Sequence, residues 1–213
     1  MESITNYKDM ALASLEGRWT KAAVASLIYI GLAVGLSECF GFVKPVEAEA
    51  LLSCGTSLLL LPLAWGYAVW ILRFIRREDT SYGSLFNGYQ QFARTFVTEL
   101  LKGLYIGLWS LLLIVPGIVK SYSYAMTEFI MHDDETLSYD AAISRSMELM
   151  QGHKMQLFLL DLSMIGWALL CLLTAGIGFI FLEPYVSCCH AHFYEDLKAE
   201  DWAKQLTPRH EER

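Results

Sequence analysis

The sequence predicts an all-α membrane protein with six transmembrane helices, arranged as three helical hairpins, and three observations lead to this fold. The chain of 213 residues is strongly apolar, with 54% hydrophobic and only 18% charged residues. Long windows carry no charge at all: residues 22–37, 51–72 and 103–119. About 20 apolar residues cross a bilayer, so windows of this length are typical of transmembrane helices. The third observation is an internal repeat.

The repeat consists of three units, residues 4–79, 80–135 and 136–196, followed by a polar tail over 197–213. In each unit a small residue followed by arginine or histidine precedes an apolar run: Gly17-Arg18, Ala93-Arg94 and Gly152-His153. Further along, the units carry Tyr29-Ile30-Gly31, Tyr105-Ile106-Gly107 and Met164-Ile165-Gly166 at equal spacing. A repeat of this kind predicts one hairpin per unit within a single membrane domain, 1–213.

Each unit is predicted to begin with an amphipathic helix, over 4–18, 82–96 and 139–152. Their apolar residues recur at helical spacing: Tyr7, Ala11 and Leu15; Leu85, Tyr89, Phe92 and Phe96; Ile143, Met147 and Met150. One apolar face on an otherwise polar helix is typical of a helix that lies in the headgroup layer of a membrane. We therefore expect three interfacial helices on the cytoplasmic surface.

The six predicted spans follow these helices, at about 21–38, 53–74, 99–115, 118–131, 156–174 and 177–194. Residues 39–52 are predicted to form a loop, and Pro116-Gly117 and Ala175-Gly176 to form tight turns, because proline and glycine end helices. Polar residues beside Pro116-Gly117 leave an alternative, in which the third and fourth spans form a re-entrant pair and only four spans cross.

The distribution of lysine and arginine predicts the orientation. If both ends lie inside, Lys44 lies outside, Lys120 lies near the outer turn, and the other 14 of the 16 basic residues lie on the inner side. This bias predicts cytoplasmic termini in an inner membrane. The first 20 residues do not resemble a cleavable signal peptide. A net charge of −7 argues against nucleic acid as a partner. Cys39 and Cys54 flank the predicted outer loop, either as free thiols or as a disulfide.

One segment, Pro116-Gly117-Ile118-Val119-Lys120-Ser121-Tyr122, resembles the bacterial membrane proteins grouped as domain-of-unknown-function family 975. Similar stretches follow at Gly152-His153-Lys154 and from Tyr185 to Asp196, so the resemblance covers most of the chain. Met155 departs from the aromatic residue that the family often has there. The resemblance implies a multi-pass bacterial inner-membrane protein and no established activity. A more distant likeness is to the membrane domain of some glycerophosphodiester phosphodiesterases.

Ionisable residues inside the predicted spans are the candidate functional residues, since a charge in lipid costs about 2.5–3.5 kcal/mol or more. Glu183 precedes Pro184 in the last span, with His190 two turns further on the same face. One interpretation is that Glu183 pairs with Lys120, or stays protonated, and locks helices together. The other is that Glu183 and His190 line a proton or substrate path. Asp161 and Glu128 complete the set, either at the cytoplasmic mouth or as caps of neighbouring helices.

Basic residues at the start of each predicted span are candidates for contact with lipid headgroups: Arg18, Arg94, His153 and Lys154. Cys189 and His192 lie on one helix face, but two ligands fall short of the four that a structural metal site uses. We therefore predict no metal and no cofactor. No nucleophile elbow, phosphate-binding loop or paired nucleophile and base is visible, so no enzyme is predicted.

Three functions fit these observations. The leading hypothesis is an accessory or regulatory protein that acts through membrane lipids and a membrane protein partner. The alternative is a small transporter or exporter with a polar path near Glu183. A lipid-modifying enzyme is the third.

Overall fold

The computed structural model describes residues 3–41 and 46–206, with side chains except at 37–41 and 46–54. All regular structure in this part is helical, which confirms the all-α prediction. The first helices are α1 (Ile4–Leu15), α2 (Trp19–Gly41) and α3 (Val46–Ile75), followed by a 3-10 helix at Tyr82–Phe86. The remaining helices are α4 (Asn87–Gln90), α5 (Phe92–Leu112), α6 (Ile114–Ser123), α7 (Thr127–Asp133), α8 (Tyr139–Leu149), α9 (Lys154–Leu162), α10 (Ile165–Leu173) and α11 (Phe179–Leu206).

Within the described ranges, four helical stretches are long and apolar enough to cross a membrane: Trp19–Leu36, Gly55–Ile75, Phe92–Leu112 and Lys154–Leu173. The fourth predicted span instead consists of α6 and α7, which are only ten and seven residues long. The sixth predicted span is the apolar first half of α11, a helix of 28 residues that continues well past it. The fold is thus a helical protein with several membrane-competent helices.

The predicted loop at 39–52 is wrong where the structure describes it. Helix α2 continues to Gly41 and α3 begins at Val46, so 39–41 and 46–52 are helical. The second stretch is rich in alanine, leucine and glutamate, which favour helix strongly enough to extend α3. Residues 42–45, with Lys44, lie outside the described residues, as do the side chains of Cys39 and Cys54.

The break between the third and fourth spans also differs from the prediction. The chain is extended at Leu113, and Pro116 lies in the first turn of α6, where its missing N–H is not needed for a helical hydrogen bond. Gly117 serves packing instead: a Cβ there would lie 2.1 Å from Ser110 Oγ on α5. The turn at Ala175-Gly176 is confirmed, with φ of 51° and 85°.

The amphipathic helices pack on the protein itself. Tyr7, Ala11 and Leu15 of α1 are fully buried, as is Leu85 of the 3-10 helix, while Ile143 of α8 is almost fully buried. These buried residues therefore pack on protein, contrary to the prediction, whereas Phe92 of the second predicted face is exposed. The predicted helix at 82–96 is wrong as well, because it is divided among the 3-10 helix, α4 and the start of α5.

The core lies where α11 packs against α1, α2 and α3. Its largest fully buried side chains include Trp70 and Phe74 of α3, Tyr7 of α1 and Phe193 of α11. The rings of Tyr7 and Phe193 pack in a tilted arrangement, with centroids 5.2 Å apart. The last helix of the chain is thus packed against the first three, and this arrangement positions the polar groups described next.

Candidate functional site

The structure brings three of the predicted residues together around one cavity. Asp161 of α9 accepts hydrogen bonds from Tyr122 of α6, at 3.0 Å, and contacts His190 Nε2 of α11 at 2.6 Å. Glu183, two turns before His190 on α11, lines the same cavity of about 280 Å³. Its carboxylate accepts a bond from Ser187 at 3.4 Å. We call Asp161, Glu183 and His190 the acidic cavity residues.

The acidic cavity has the chemistry of a proton-binding or cation-binding site. Asp161 orients the His190 ring, as a carboxylate commonly does for a functional imidazole. The remaining wall is apolar, with Met164, Ile165 and Leu182 among its lining residues. A few polar groups in an apolar cleft are typical of small-molecule sites. Sequence reasoning did not identify Tyr122, although it lies in the segment that carries the family resemblance.

Lys120 is not part of this cavity, so the predicted Glu183–Lys120 pair is wrong. The Lys120 ammonium lies 5.1 Å from the ring centroid of Trp109 and 3.8 Å from the Met147 sulfur of α8. This contact is inconsistent with the predicted separation of Lys120 and α8 onto opposite sides of the membrane. Helix α6 is only ten residues long and packs on α5 and α9, so Lys120 stays within reach of α8.

Glu128 is also separate from the acidic cavity. It forms an ion pair with Lys102 of α5, and Lys102 also binds Glu99 at 2.7 Å. Glu99 is buried, and its Oε1 has no hydrogen-bond partner. Two carboxylates and one ammonium thus join α5 to α7. The spacing of Glu99 and Lys102, three residues apart at the start of an apolar run, is a signal that sequence reasoning missed.

Three of the four predicted headgroup residues bind protein groups. Arg18 lies over the Phe74 ring, 4.1 Å from its centroid, and donates to backbone carbonyls of Phe74 and Ser14. Arg94 donates to the Asp134 carbonyl at 2.8 Å, and His153 lies 3.6 Å from Glu200. Lys154 differs, because it lines a groove with apolar neighbours.

The Lys154 groove lies between α6 and α9 and has a volume of about 290 Å³. Apart from Lys154, its lining residues are apolar or aromatic: Val115, Ile118, Val119, Tyr122, Met155 and Phe158. One ammonium at an apolar groove matches an anionic headgroup with its acyl chain. This is the one predicted headgroup contact whose surroundings resemble a lipid site.

A network of ionic groups ties three helices together at the end of the bundle where α3 and α7 finish. Arg76 binds both carboxylate oxygens of Asp133, at 2.7 and 2.8 Å, and Glu195 at 2.6 Å. Tyr194 and Lys198 of α11 also donate to Asp133. Burial opposes ionisation of Asp133, but the bonds from Arg76 and Lys198 outweigh it and hold its pKa well below the usual range.

One hydroxyl–imidazole contact was not foreseen. Ser14 Oγ of α1 lies 2.8 Å from His192 Nε2 of α11. Cys189, which the sequence placed on the same helix face as His192, has its Sγ 3.7 Å from the Tyr7 carbonyl oxygen. Among the described residues, no group of three or more His, Cys, Asp or Glu side chains is placed to hold a metal ion. Cys189 and His192 therefore contact α1.

Comparison with known proteins gives one result. The model of the family described as Protein of unknown function (DUF975) matches residues 1–120 and 112–201. Neither the curated proteins nor the solved structures yield a match. The likeness to glycerophosphodiester phosphodiesterases is not shown by these comparisons. The two matched ranges together cover nearly the whole chain, which therefore belongs to this family of unknown function.

Proposed function

We propose that this protein is a non-enzymatic accessory protein of a bacterial inner membrane, acting through anionic lipids and a membrane protein partner, with both termini cytoplasmic. The observation that carries the lipid part is the Lys154 groove. The Lys154 ammonium beside the apolar groove would hold the phosphate of a lipid, while Met155 and Phe158 contact its acyl chain. A basic residue near an anionic membrane surface contributes about 1 kcal/mol to the attraction of such headgroups.

The partner contact is supported by the end of α11. Trp202 and Leu206 are exposed there, and Trp202 shares a surface cleft with Arg145, Lys198 and Asp201. An aromatic side chain among charged neighbours is a common anchor of protein interfaces. We infer that this end of α11 meets the cytoplasmic part of a membrane protein.

The lipid part is tested by purifying the protein in a mild detergent and measuring bound phospholipids by mass spectrometry. Lys154→Ala should lower bound anionic lipid at least threefold, because the headgroup loses its only cation in the groove. Lys204→Ala is the matched control, since Lys204 pairs with Glu200 at the far end of α11. Equal lipid content in the two variants would contradict the proposal.

A second function, transport of a proton or small cation, is favoured by the acidic cavity. Asp161, Glu183 and His190 line one cavity, and Tyr122 adds a hydroxyl to it. The alternative for the same residues is a purely structural tie among α6, α9 and α11. Ionisable groups inside membrane proteins serve both purposes.

Glu183→Gln distinguishes the two roles. If the cavity carries cations, flux into vesicles should fall to background, while the melting temperature stays within about 3 °C of the wild type. If Glu183 is a tie, the melting temperature should fall instead. Ser187→Ala removes the hydroxyl bound to Glu183 and keeps the carboxylate, so it should retain most of the flux.

A further inference from the structure

We propose that Glu99 and Glu128 form a buried proton-binding site, in which the two carboxyl groups share one exchangeable proton beside the Lys102 ammonium. The three residues join α5 to α7 and are distinct from the acidic cavity residues, so the site does not depend on transport through that cavity. Three features support it: the contacts of the two carboxylates, their burial, and the charge that one ammonium leaves uncompensated.

The Lys102 ammonium holds the two carboxylates next to each other. Its Nζ lies 2.7 Å from Glu99 Oε2 on the same helix, and it also bonds to Glu128 Oε1 in the first turn of α7. Because both carboxylates contact one nitrogen atom, they are direct neighbours, and the carboxyl group of Glu128 lies within hydrogen-bonding range of that of Glu99. The other oxygen of Glu99, Oε1, has no hydrogen-bond partner among the described residues.

The three side chains of this cluster are largely buried. Those of Glu99, Lys102 and Glu128 are 6%, 16% and 18% exposed. Glu99 and Lys102 also lie within Phe92–Leu112, one of the helices that are long and apolar enough to cross a membrane. Water cannot solvate an excess charge in such surroundings, so the charges of the cluster have to balance within it.

The charges do not balance while both carboxyl groups are ionised. Lys102 remains an ammonium because it contacts two carboxylates, and the cluster then carries one net negative charge. One proton from water removes this excess by forming an O–H bond with a carboxylate oxygen. The O–H group donates a hydrogen bond to the neighbouring carboxylate, as in other pairs of adjacent carboxyl groups that hold one proton.

The elements around the pair do not supply a second cation to it. Helix α5 packs against α3, α4, α6 and α8, and α7 packs against α3 and α8. The basic side chains of these elements contact other groups: Arg73 contacts Glu78, Arg94 the Asp134 carbonyl, Lys120 the Met147 sulfur, Arg145 Asp201, and His132 the ring of Trp65. Among the described residues of these elements, Lys102 is thus the cation that contacts the pair.

The remaining ionisable groups on the packed elements do not balance the charge either. The acids have partners of their own: Asp133 binds Arg76, Asp140 accepts from Tyr105, and Glu148 pairs with Arg145. The hydroxyl groups are neutral: that of Tyr67 bonds to Ser26, and that of Tyr89 donates to the Leu59 carbonyl. Tyr29 of α2 faces both carboxylates and stacks on Tyr67, with ring centroids 4.6 Å apart. A proton is therefore the charge that completes the cluster.

The proton is able to exchange through Glu128, the more exposed of the two carboxyl groups. A proton that enters on Glu128 needs only to move across the hydrogen bond between the two groups to reach Glu99. One O–H bond breaks as the other forms, and Lys102 keeps its charge throughout. Proton binding at this site therefore requires no rearrangement of α5 or α7.

The test counts protonated carboxyl groups by infrared spectroscopy of the full-length protein in detergent at pH 7. Glu99→Gln should remove the carbonyl absorbance of one protonated carboxyl group. Glu128→Gln should remove the same absorbance although it leaves Glu99 in place, because Glu99 and Lys102 then form a neutral pair that needs no proton. The double variant should remove no more than either single change. Transfer of the wild type into D₂O should shift the band, because the proton comes from water.

The matched control is Glu148→Gln, which should leave the protonated-carboxyl band unchanged, since Glu148 is 67% exposed and pairs with Arg145. An unchanged band in Glu99→Gln would overturn the proposal, because both carboxyl groups would then be ionised. A band that persists in Glu128→Gln would also overturn it, because the proton would then belong to Glu99 alone. A band that does not shift in D₂O would show that the proton is not exchangeable.

Glutamine has nearly the shape of a protonated glutamate, and circular dichroism checks that each variant retains its helices. If Glu99→Gln does not fold, Glu128→Gln decides by itself, since its side chain is the more exposed one. Loss of one protonated carboxyl group in that variant would support the shared proton, and no loss would refute it.

Discussion

At the scale of single residues, Asp133 joins α7 to α11 and to the segment after α3. Its carboxylate receives hydrogen bonds from Arg76, Tyr194 and Lys198, which come from α11 and the segment after α3. Its side chain is only 14% exposed, so these charged bonds are partly shielded from water. Hydrogen bonds to charged groups contribute about 1.5–3 kcal/mol each where they are well formed.

We expect Asp133→Asn to lower the free energy of unfolding by about 2 kcal/mol at pH 7, because Arg76 and Lys198 lose their shared anion. Thermal unfolding in detergent measures this loss. Glu148→Gln is the control, since the Arg145–Glu148 pair is largely exposed and surface pairs contribute under about 1 kcal/mol. Equal losses of unfolding free energy in the two variants would show that the ionic network does not stabilise the packing of the helices.

The stability that Asp133 contributes should also depend on pH. The pKa of Asp133 is lower in the folded than in the unfolded chain, so the stability it contributes is present above the unfolded value, about 3.9, and lost as pH falls toward the folded value. The stability difference between wild type and Asp133→Asn should therefore be constant from pH 7 to 5 and shrink below about pH 4. A difference that grows on acidification would contradict this assignment.

The sequence indicated functional residues best where polarity contrasted with an apolar surrounding. Glu183, His190 and Asp161 stood out for this reason, and the structure places them at one cavity. Lys102 and Glu99 were missed because they lie at the edge of an apolar run. Arg18 was assigned to headgroups because sequence cannot show that the ring of Phe74, far away in the chain, lies under its guanidinium.

At the scale of elements, α3 packs against the 3-10 helix and α4 through two glycines. A Cβ on Gly66 would lie 1.9 Å from the Leu85 carbonyl oxygen, and one on Gly88 would lie 2.1 Å from that of Pro62. Both neighbours are backbone atoms, which cannot rotate away. The short helices are therefore held against α3 by close backbone approach.

Gly66→Ala should destabilise the protein by about 1–3 kcal/mol, because the added methyl must push the Leu85 backbone from α3. Gly31→Ala on α2 is the control, since no heavy atom lies within 4 Å of its added Cβ. That change should be neutral or stabilising by up to about 1 kcal/mol, the helix propensity of alanine over glycine. Thermal unfolding of both variants measures the two changes, and equal stability of Gly66→Ala and Gly31→Ala would contradict the close contact.

Helical periodicity predicted the first and third amphipathic helices but not what they pack against. The apolar faces of α1 and α8 were correctly identified, yet Tyr7 and Ile143 pack on protein instead of lipid. Periodicity shows that a helix face is apolar, but it does not show whether protein or lipid covers that face. The hairpin turn was placed at Pro116-Gly117, where Pro116 in fact lies in the first turn of α6, because proline fits both a turn and a first helical turn.

At the scale of the whole molecule, the orientation remains a prediction that labelling can test. Lys44→Cys should react with an impermeant maleimide from the outer side only, and Gln205→Cys from the inner side only. The excess of basic residues on one side is the physical reason, since positive loops stay cytoplasmic. Wild-type protein gives the background from native cysteines. Reaction of Lys44→Cys from the inner side alone would reverse the orientation.

The position of α11 has a consequence for the order in which the protein is made. Its residues bind Tyr7 through Asp196, Ser14 through His192, Arg76 through Glu195 and Arg145 through Asp201. Within the described chain, α11 is synthesised after every other helix. Until it is in place, the earlier helices lack these contacts with α11, although Arg76 can already bind Asp133 and Arg145 can bind Glu148. Premature termination after residue 188 should therefore leave an incomplete bundle that quality-control proteases can recognise.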